Sequence, residues 1–153
     1  MNAALNEAQR ERLFLLLFQK EFYTKREMAH QVAQDLLMVD TEASDSAALS
    51  SAEAAAVADC FQEIWPEMSR LDAVIERNLT RWRIGRLGKV ELAVLRLVTY
   101  ELLRCEGIRP GTVINGAVNL AKKYAGQQAG TFVNGVIRNI YEAEYRTESN
   151  NGE

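Results

Sequence analysis

The chain has 153 residues, a formal net charge of −3 and a hydrophobic fraction of 48%, which together predict one domain with an adequate core. No positively charged start precedes an apolar signal segment, and no long apolar run follows, so we expect a cytoplasmic protein. The single histidine, His30, nearly excludes a histidine-based metal site or a Ser-His-Asp arrangement. Cys60 and Cys105 show no paired or metal-ligand spacing and are interpreted as reduced core thiols.

The first predicted helix follows a short terminus. Residues 1–6 are expected to be loose, and Glu7 to Tyr23 is predicted to be a helix with the apolar run 13–18 at its buried centre. A second helix is predicted next because Thr24 and Glu27 form a capping-box pattern, in which each side chain satisfies a backbone donor. Its apolar stripe consists of Met28, Val32, Leu36 and Val39.

A third helix is predicted beyond a polar segment. Residues 40–51 are polar and small, as is typical of a surface loop, and Ser50 with Glu53 forms another capping-box pattern. Pro66 must end or kink the helix, because it lacks an N–H and its ring clashes with the preceding turn. The apolar positions before it are Ala56, Val57, Cys60, Phe61 and Ile64, and those after it are Leu71, Val74, Ile75 and Leu79.

The segment from Leu87 to Leu103 is apolar on almost every face. A surface helix would show only one apolar stripe, so this pattern predicts the central core helix of a small all-helical protein. Its length of about seventeen residues and its charges are unsuitable for crossing a bilayer. A buried charge without a partner costs free energy, so the polar residues of this segment must find partners or reach the surface. These residues are Glu91, Arg96, Thr99 and Glu101.

Two further helices are predicted after the central one. Gly107 and Pro110-Gly111 mark a connection, and Thr112 is placed to cap the next helix. The buried face of that helix is predicted to contain Val113, Ala117, Leu120, Ala121 and Tyr124. Gly126 is a plausible helix stop, and residues 126–131 are predicted to be a loop. The last helix has the stripe Val133, Val136, Ile137 and Ile140, and Phe132 lies off that stripe.

The charges are distributed unevenly along the chain. Residues 1–79 contain 7 Lys/Arg and 14 Asp/Glu, a balance of −7, whereas residues 80–138 contain 10 Lys/Arg and 3 Asp/Glu, a balance of +7. A basic half beside an acidic half suggests an anionic partner for the basic half. Four cations surround the turn before the central helix and are suited either to holding phosphate or to pairing with the acidic half: Arg81, Arg83, Arg86 and Lys89.

The second half of the sequence resembles the NusB family of transcription antitermination factors. The resemblance runs from Trp82 to Ile140 with unbroken spacing. It is carried by Trp82, Arg86, Leu87, Leu95-Arg96-Leu97, Tyr100-Glu101-Leu102, Ile114-Asn115, Leu120-Ala121-Lys122 and Phe132-Val133-Asn134-Gly135. The capping boxes, Pro66, the Gly-Pro-Gly connection and the absence of alternating apolar patterns predict an all-α fold of about six or seven helices and no sheet. With the resemblance, we expect a compact NusB-like single-domain bundle over residues 1–145 and a flexible tail at 146–153.

The resemblance also implies RNA-binding residues. Many NusB proteins have an arginine-rich start that contacts RNA phosphates; here Arg10 and Arg12 stand among acidic residues, so a weaker contribution is expected, and a solvated helical turn is the alternative. The family's RNA-gripping loop corresponds to Gln128, Thr131 and Phe132, where an aromatic ring stacks on an unpaired base and polar groups contact base edges. Tyr124 matches this region too, but its place on a buried stripe favours the core. Arg86 and Lys123 are the predicted phosphate contacts of the basic half.

The implied function is antitermination during ribosomal RNA transcription. By resemblance, such proteins pair with ribosomal protein NusE, bind a boxA element in nascent single-stranded RNA and join the RNA polymerase complex. Phe18 and Glu91 match partner-facing positions; core packing and an ion pair are their respective alternatives. No Gly-rich cofactor loop and no nucleophile beside a base is found, so no enzyme, cofactor or metal is expected. The alternative function is a helical protein-interaction module or homodimer with weak or lost RNA binding.

Overall fold

The computed structural model describes residues 2–22, 49–81 and 83–145. These residues contain five α-helices: α1 (Glu7–Gln19), α2 (Ser51–Arg77), α3 (Lys89–Arg104), α4 (Pro110–Ala125) and α5 (Gln127–Ile140). Two short 3-10 turns, Lys20–Phe22 and Ile84–Arg86, and a π-helical turn, Tyr141–Tyr145, complete the helical structure. The predicted all-α class is confirmed. The predictions for residues 24–39 and for the tail at 146–153 lie outside the described residues, as does Trp82.

The chain divides into two compact units, Leu5–Pro66 and Met1–Ala4 with Glu67–Glu153. Helix α2 contributes to both units and continues through Pro66, so of the predicted end or kink at this residue the end is wrong and the kink stays a prediction. A proline removes only one backbone hydrogen bond from a helix, and a helix of 27 residues retains the rest. The organisation of residues 1–145 as one domain stays a prediction.

In the unit Leu5–Pro66, two capping boxes fix the starts of α1 and α2. Asn6 Oδ1 accepts from the Gln9 N–H at 2.8 Å, and the Asn6 N–H donates to Gln9 Oε1 at 2.9 Å, so the terminus predicted to be loose is ordered here. The predicted second box is confirmed, since Ser50 and Glu53 exchange hydrogen bonds of 3.0 and 3.1 Å. Asn6 and Gln9 also hydrogen-bond with Glu53, which joins the two helix starts.

The start of the chain is ordered by a second contact as well. β1 (Asn2–Ala3) pairs in parallel with β2 (Cys105–Glu106), with Asn2 opposite Cys105. This pair of two-residue strands was not predicted, because segments so short have no alternating apolar pattern in the sequence. Both Cys60 and Cys105 are buried, in agreement with their interpretation as core thiols.

Helix α3 is the centre of the unit that contains Glu67–Glu153. All eleven residues from Leu92 to Leu102 are buried, which confirms the predicted central helix, and α3, α4 and α5 pack against one another. Arg96 is only 5% exposed, and its guanidinium donates two hydrogen bonds of 2.8 Å to the Asp72 carboxylate on α2. Glu101 is 1% exposed. The buried Thr99 hydroxyl has no hydrogen-bond partner among the described residues.

The end of the described chain is held against the end of α2. Arg77 Nε and Nη2 donate to the two carboxylate oxygens of Glu144 at 2.6 and 2.7 Å, and Asn78 Nδ2 donates to Glu144 Oε1 at 3.4 Å. The hydrogen bonds from Arg77 are the main reason that the pKa of Glu144 lies below its ordinary value. The π-helical turn Tyr141–Tyr145 is thereby tied to the same unit.

In the parts of the chain that the structure describes, no helix combines the length and the apolar character needed to cross a membrane. Within the same residues, no group of three or more histidine, cysteine, aspartate or glutamate side chains is placed to hold a metal ion.

Leu95→Ala tests the burial of α3. Leu95 is 0% exposed, so truncation removes apolar contacts and leaves a cavity, and we expect a loss of roughly 2–5 kcal/mol in the free energy of unfolding. Urea unfolding measures this loss. Leu103→Ala, at a half-buried position of the same helix, is the matched control and should cost less. Equal and small effects of both variants would contradict the central position of α3.

Glu144→Gln tests the ion pair at the end of α2. The folded-state pKa of Glu144 is lowered, so the pair stabilises the fold above the ordinary pKa of 4.5, and this contribution is lost as the pH falls through the folded-state pKa. The variant should be less stable than the parent at pH 7, and the difference should shrink towards pH 3. Thermal unfolding at both pH values measures it, with the exposed Glu76→Gln as control. A difference that does not change with pH would contradict this role.

Candidate nucleic-acid interface

An open cleft of about 290 Å³ lies between the turn before α3 and the start of α5. It is lined by Arg86, Leu87, Gly88, Glu91, Gln128, Ala129 and Phe132. Three predicted RNA-binding residues, Arg86, Gln128 and Phe132, therefore meet in one place although more than forty residues separate Arg86 from the other two. Glu91, predicted to face a protein partner, lines the same cleft.

The start of α5 replaces the predicted loop. Gly126 ends α4 and directly precedes α5, and its φ of 97° lies in the left-handed region that favours glycine, so a single residue connects the two helices. The prediction of a loop at 126–131 is wrong, and Gln128 and Thr131 lie on the first turns of a helix. The Thr131 hydroxyl donates to the Gln127 carbonyl at 3.2 Å, which is a bond within that helix.

The start of α4 also differs from the prediction. The helix begins at Pro110 with Arg109 as the preceding cap residue, and the predicted cap Thr112 lies inside the first turn. Proline is well suited to the first helical position, because the N–H that it lacks would have no partner in the helix. The stop signal at Gly126 is confirmed, since α4 ends at Ala125.

Two helix starts, those of α3 and α5, contribute to the cleft. The residue before each helix is a glycine, Gly88 or Gly126, and neither start has a side chain that caps its backbone N–H groups. Such uncapped N–H groups carry partial positive charge, to which the helix dipole adds. Arg86 is exposed at the same place, while Glu91 in the first turn of α3 opposes an anion there, so Arg86 and the start of α5 are the parts of the cleft suited to an anionic ligand.

Phe132 provides the aromatic surface of the cleft. The stripe Val133, Val136, Ile137 and Ile140 is buried as predicted, and Phe132 lies half-buried beside it. Leu87 and Ala129 are further apolar lining groups. An accessible aromatic ring beside polar groups is the arrangement that stacks on an unpaired base.

Glu91 lies at the third position of α3, and its carboxylate folds back over Gly88. A methyl group built on Gly88 would overlap this carboxylate, so the absence of a side chain at residue 88 leaves the space that the carboxylate occupies. Among the described residues, none forms an ion pair or a hydrogen bond with the Glu91 side chain. The ion pair considered as the alternative role of Glu91 is therefore not found there.

The end of α4 carries two lysines and an exposed tyrosine. Lys123 Nζ lies 5.4 Å from the centre of the Tyr124 ring, and Tyr124 is 39% exposed. The prediction that Tyr124 belongs to the core is wrong, because its place in the last turn of α4 leaves the ring at the surface. The aliphatic part of Lys122 lies directly over Gly130 of α5, where a larger residue would displace it.

Most of the basic residues between 80 and 138 lie on the surface. Arg96 pairs with Asp72 and Arg104 pairs with Glu67. The other eight are exposed: Arg81, Arg83, Arg86, Lys89, Arg109, Lys122, Lys123 and Arg138. Arg81, Arg83 and Arg86 form no ion pair with a described residue. Among the described residues, these three arginines therefore do not pair with the acidic half, which was the alternative.

The remaining predicted site residues belong to the other unit. Arg10 is only 5% exposed, which rules out the solvated helical turn and leaves little of its side chain for an RNA phosphate, and Arg12 is half-buried. Phe18 is half-buried, with its ring 6.4 Å from that of Phe14 and 5.4 Å from that of Phe22, measured between centroids. Phe22 is 58% exposed, so the aromatic row reaches the surface.

Comparison with known proteins identifies the family. The model of the NusB family matches residues 7–142, which is most of the chain. The chain belongs to the NusB family. It is 36% identical over 128 residues to the transcription antitermination protein NusB of Agathobacter rectalis, a match that covers 84% of this chain and 92% of the relative. The NusB of Lachnoclostridium phytofermentans is 31% identical over 133 residues, with 87% and 96% covered.

Solved structures of the NusB family share the fold. The crystal structure of NusB from T. maritima has a TM-score of 0.76 and 26% identity, with 95% of this chain and 96% of that chain covered. A structure of the antitermination factors NusB and NusE in complex with dsRNA has a TM-score of 0.72 and 29% identity, covering 90% of this chain and 96% of that chain.

Proposed function

We propose that this chain is a transcription antitermination factor that binds boxA-type single-stranded RNA together with ribosomal protein NusE. In this role it joins the RNA polymerase complex during ribosomal RNA transcription, in the cytoplasm, and acts by binding rather than by catalysis. The observation that carries the proposal is the cleft in which Arg86, Gln128 and Phe132 meet. The related structure of NusB and NusE in complex with dsRNA supports NusE and an RNA as partners, and the accessible Phe132 ring favours a single strand.

Each group of the cleft has a role in binding RNA. Phe132 stacks on a base, and Arg86 with the uncapped helix starts attracts the adjoining phosphate. Gln128, and Thr131 beside the cleft on the same helix, contact base edges, and Lys123 adds charge at the neighbouring end of α4. Because Arg10 is buried and Arg12 half-buried, the phosphate contacts come mainly from residues 80–138.

The protein partner is proposed to contact Phe18. Its ring stands in the aromatic row with Phe14 and Phe22, and the exposed Phe22 brings that row to the surface. Aromatic side chains with large accessible area are favoured in protein interfaces. The alternative function, an interaction module or homodimer with little RNA binding, is favoured by the burial of Arg10, and RNA titration separates the two.

Phe132→Ala and Arg86→Ala should weaken RNA binding in different ways. Loss of the stacking surface should cost ~1–3 kcal/mol at every salt concentration, because stacking releases few ions. Loss of one phosphate contact should reduce the slope of log K against log[salt] by about 0.7 for single-stranded RNA. Fluorescence anisotropy with a boxA-type RNA, titrated with salt in the presence and absence of NusE, measures both effects.

Arg138→Ala is the control for charge in this experiment. Arg138 is exposed on α5 but lies ten residues after Gln128, a distance of about 15 Å along a helix. Its replacement by alanine should therefore leave the slope of log K against log[salt] nearly unchanged. A duplex of the same sequence tests the preference for single strands. If Phe132→Ala binds RNA as the parent does, the cleft is not the RNA site, and the result favours the alternative function as a protein-interaction module.

Phe18→Asp tests the partner surface. A charge placed in the aromatic row should weaken binding to NusE at least tenfold while RNA binding by the chain alone is unchanged. Isothermal calorimetry with purified NusE measures the first effect and anisotropy the second. Phe18→Tyr, which keeps the ring, is the matched control. Because Phe18 is half-buried, thermal unfolding of both variants is compared, and unchanged affinity in a folded Phe18→Asp protein would remove Phe18 from the interface.

A further inference from the structure

Lys122, in the last turn of α4, is held against the start of α5. A methyl group built on Gly130 would lie 3.2 Å or less from Cγ, Cδ and Cε of Lys122, so three successive carbons of the lysine cross α5 at this glycine. Lysine side chains commonly pack their aliphatic stem on a surface while the charged end stays in water. Lys122 is exposed, and its ammonium, one bond beyond Cε, therefore stands at the surface of α5 beside Gly130.

The two neighbouring lysines at the end of α4 have different surroundings. Among the described residues, none forms an ion pair or a hydrogen bond with the ammonium of Lys122. The Nζ atom of Lys123 lies 5.4 Å from the centre of the Tyr124 ring, on the same helix as the lysine itself. Lys122 is therefore the lysine whose charge is carried across to α5, the helix that contributes Phe132 to the cleft.

The ammonium of Lys122 and the ring of Phe132 lie on opposite sides of the start of α5. A helix has 3.6 residues per turn, so Phe132, two residues after Gly130, is displaced from it by about 200° around the helix axis. The face between these two sides is exposed at Gln127 and Thr131. No side chain caps the first N–H groups of α5, which adds partial positive charge to this face. A strand that crosses it can contact the aromatic ring on one side and the lysine on the other.

We propose that Lys122, positioned by Gly130, binds an RNA phosphate on the side of α5 opposite to Phe132, so that a single strand crosses the first turns of this helix. The inference rests on the proposed function and adds to it one phosphate contact and the path of the strand. The phosphate and the base on Phe132 belong to different nucleotides, because the width of a helix with its side chains, ~10–12 Å, separates the two groups.

Gly130 acts on RNA binding through Lys122. Packing of the lysine stem on α5 restricts a long side chain before RNA arrives, so less conformational freedom is lost when a phosphate binds. Alanine at residue 130 would place a methyl group where the stem runs and would displace it without changing the charge of the protein. A methyl group built on Gly135, farther along α5, would have no neighbouring atom within 4 Å, so the same substitution there displaces nothing.

Lys122→Ala and Lys123→Ala in the full chain are compared by anisotropy with a fluorescein-labelled boxA-type RNA, titrated with salt. Loss of the phosphate contact in Lys122→Ala should reduce the slope of log K against log[salt] by about 0.7. If the affinity extrapolated to ~1 M salt is unchanged, this slope corresponds to binding that is weaker by about eightfold at 50 mM salt and about threefold at 200 mM salt. Lys123→Ala removes the same charge one residue later and should reduce the slope by less than about half as much.

Gly130→Ala tests the positioning of Lys122 without a change of charge. It should reduce the slope and weaken binding by about two- to eightfold at 50 mM salt, the upper value being complete loss of the contact. Gly135→Ala is the matched control and should bind RNA as the parent does. In a Lys122→Ala background, Gly130→Ala should add less than about twofold, because both substitutions act on one contact. Thermal unfolding checks that each variant is folded.

The proposal is overturned if folded Lys122→Ala keeps the slope of the parent, or if Lys123→Ala reduces the slope as much as Lys122→Ala does. A loss of affinity that is the same at every salt concentration also overturns it, because such a loss reports packing rather than a phosphate contact. An effect of Gly130→Ala that is undiminished in the Lys122→Ala background overturns the positioning role of Gly130. Binding that depends on Phe132 but not on Lys122 defeats this proposal alone, whereas RNA binding that Phe132→Ala leaves unchanged defeats the proposed function itself.

Discussion

The burial of α3 on all sides is the constraint on which the unit around it depends. A helix without a solvent-facing side requires neighbours: α4 and α5 pack against it, and Asp72 of α2 hydrogen-bonds to its Arg96. Arg96 makes this arrangement specific, because a guanidinium removed from water needs a partner of fixed geometry. The two bonds to Asp72 supply that partner and set which face of α2 meets α3.

The candidate interface follows from this packing. Once α3 is central, the start of α3 and the start of α5 come to the same place, and residues from both helix starts line one cleft. The ten basic residues between 80 and 138 then fall into two classes. Arg96 and Arg104 form ion pairs with α2, while the other eight are exposed, and of these only Arg86 lines the cleft.

Predictions from the sequence succeeded where the signal is local and repeated. The buried face of α5, the core position of α3 and the Ser50–Glu53 cap follow from periodicity and from a short motif. Predictions failed where the burial of a side chain depends on residues far away in the sequence. Arg10 is an example, because its burial depends on tertiary packing. The segment 126–131 has the composition of a loop, but glycine, glutamine and threonine also occupy the first turns of helices, so composition alone could not distinguish the two. The sequence likewise could not predict that Glu91 and Gln128 line the same cleft, because this depends on how α3 and α5 pack.

The single-residue junction at Gly126 has a consequence for binding. Because α5 begins at once after it, Gln128, Thr131 and Phe132 already have their backbones ordered before any ligand arrives. A flexible loop would lose conformational entropy, at ~1–2 kcal/mol per residue, on closing around RNA. A preorganised helical surface would avoid much of this loss, so we expect few contacts to be needed for RNA binding at the proposed site in a chain whose Arg10 is buried and whose Arg12 is half-buried.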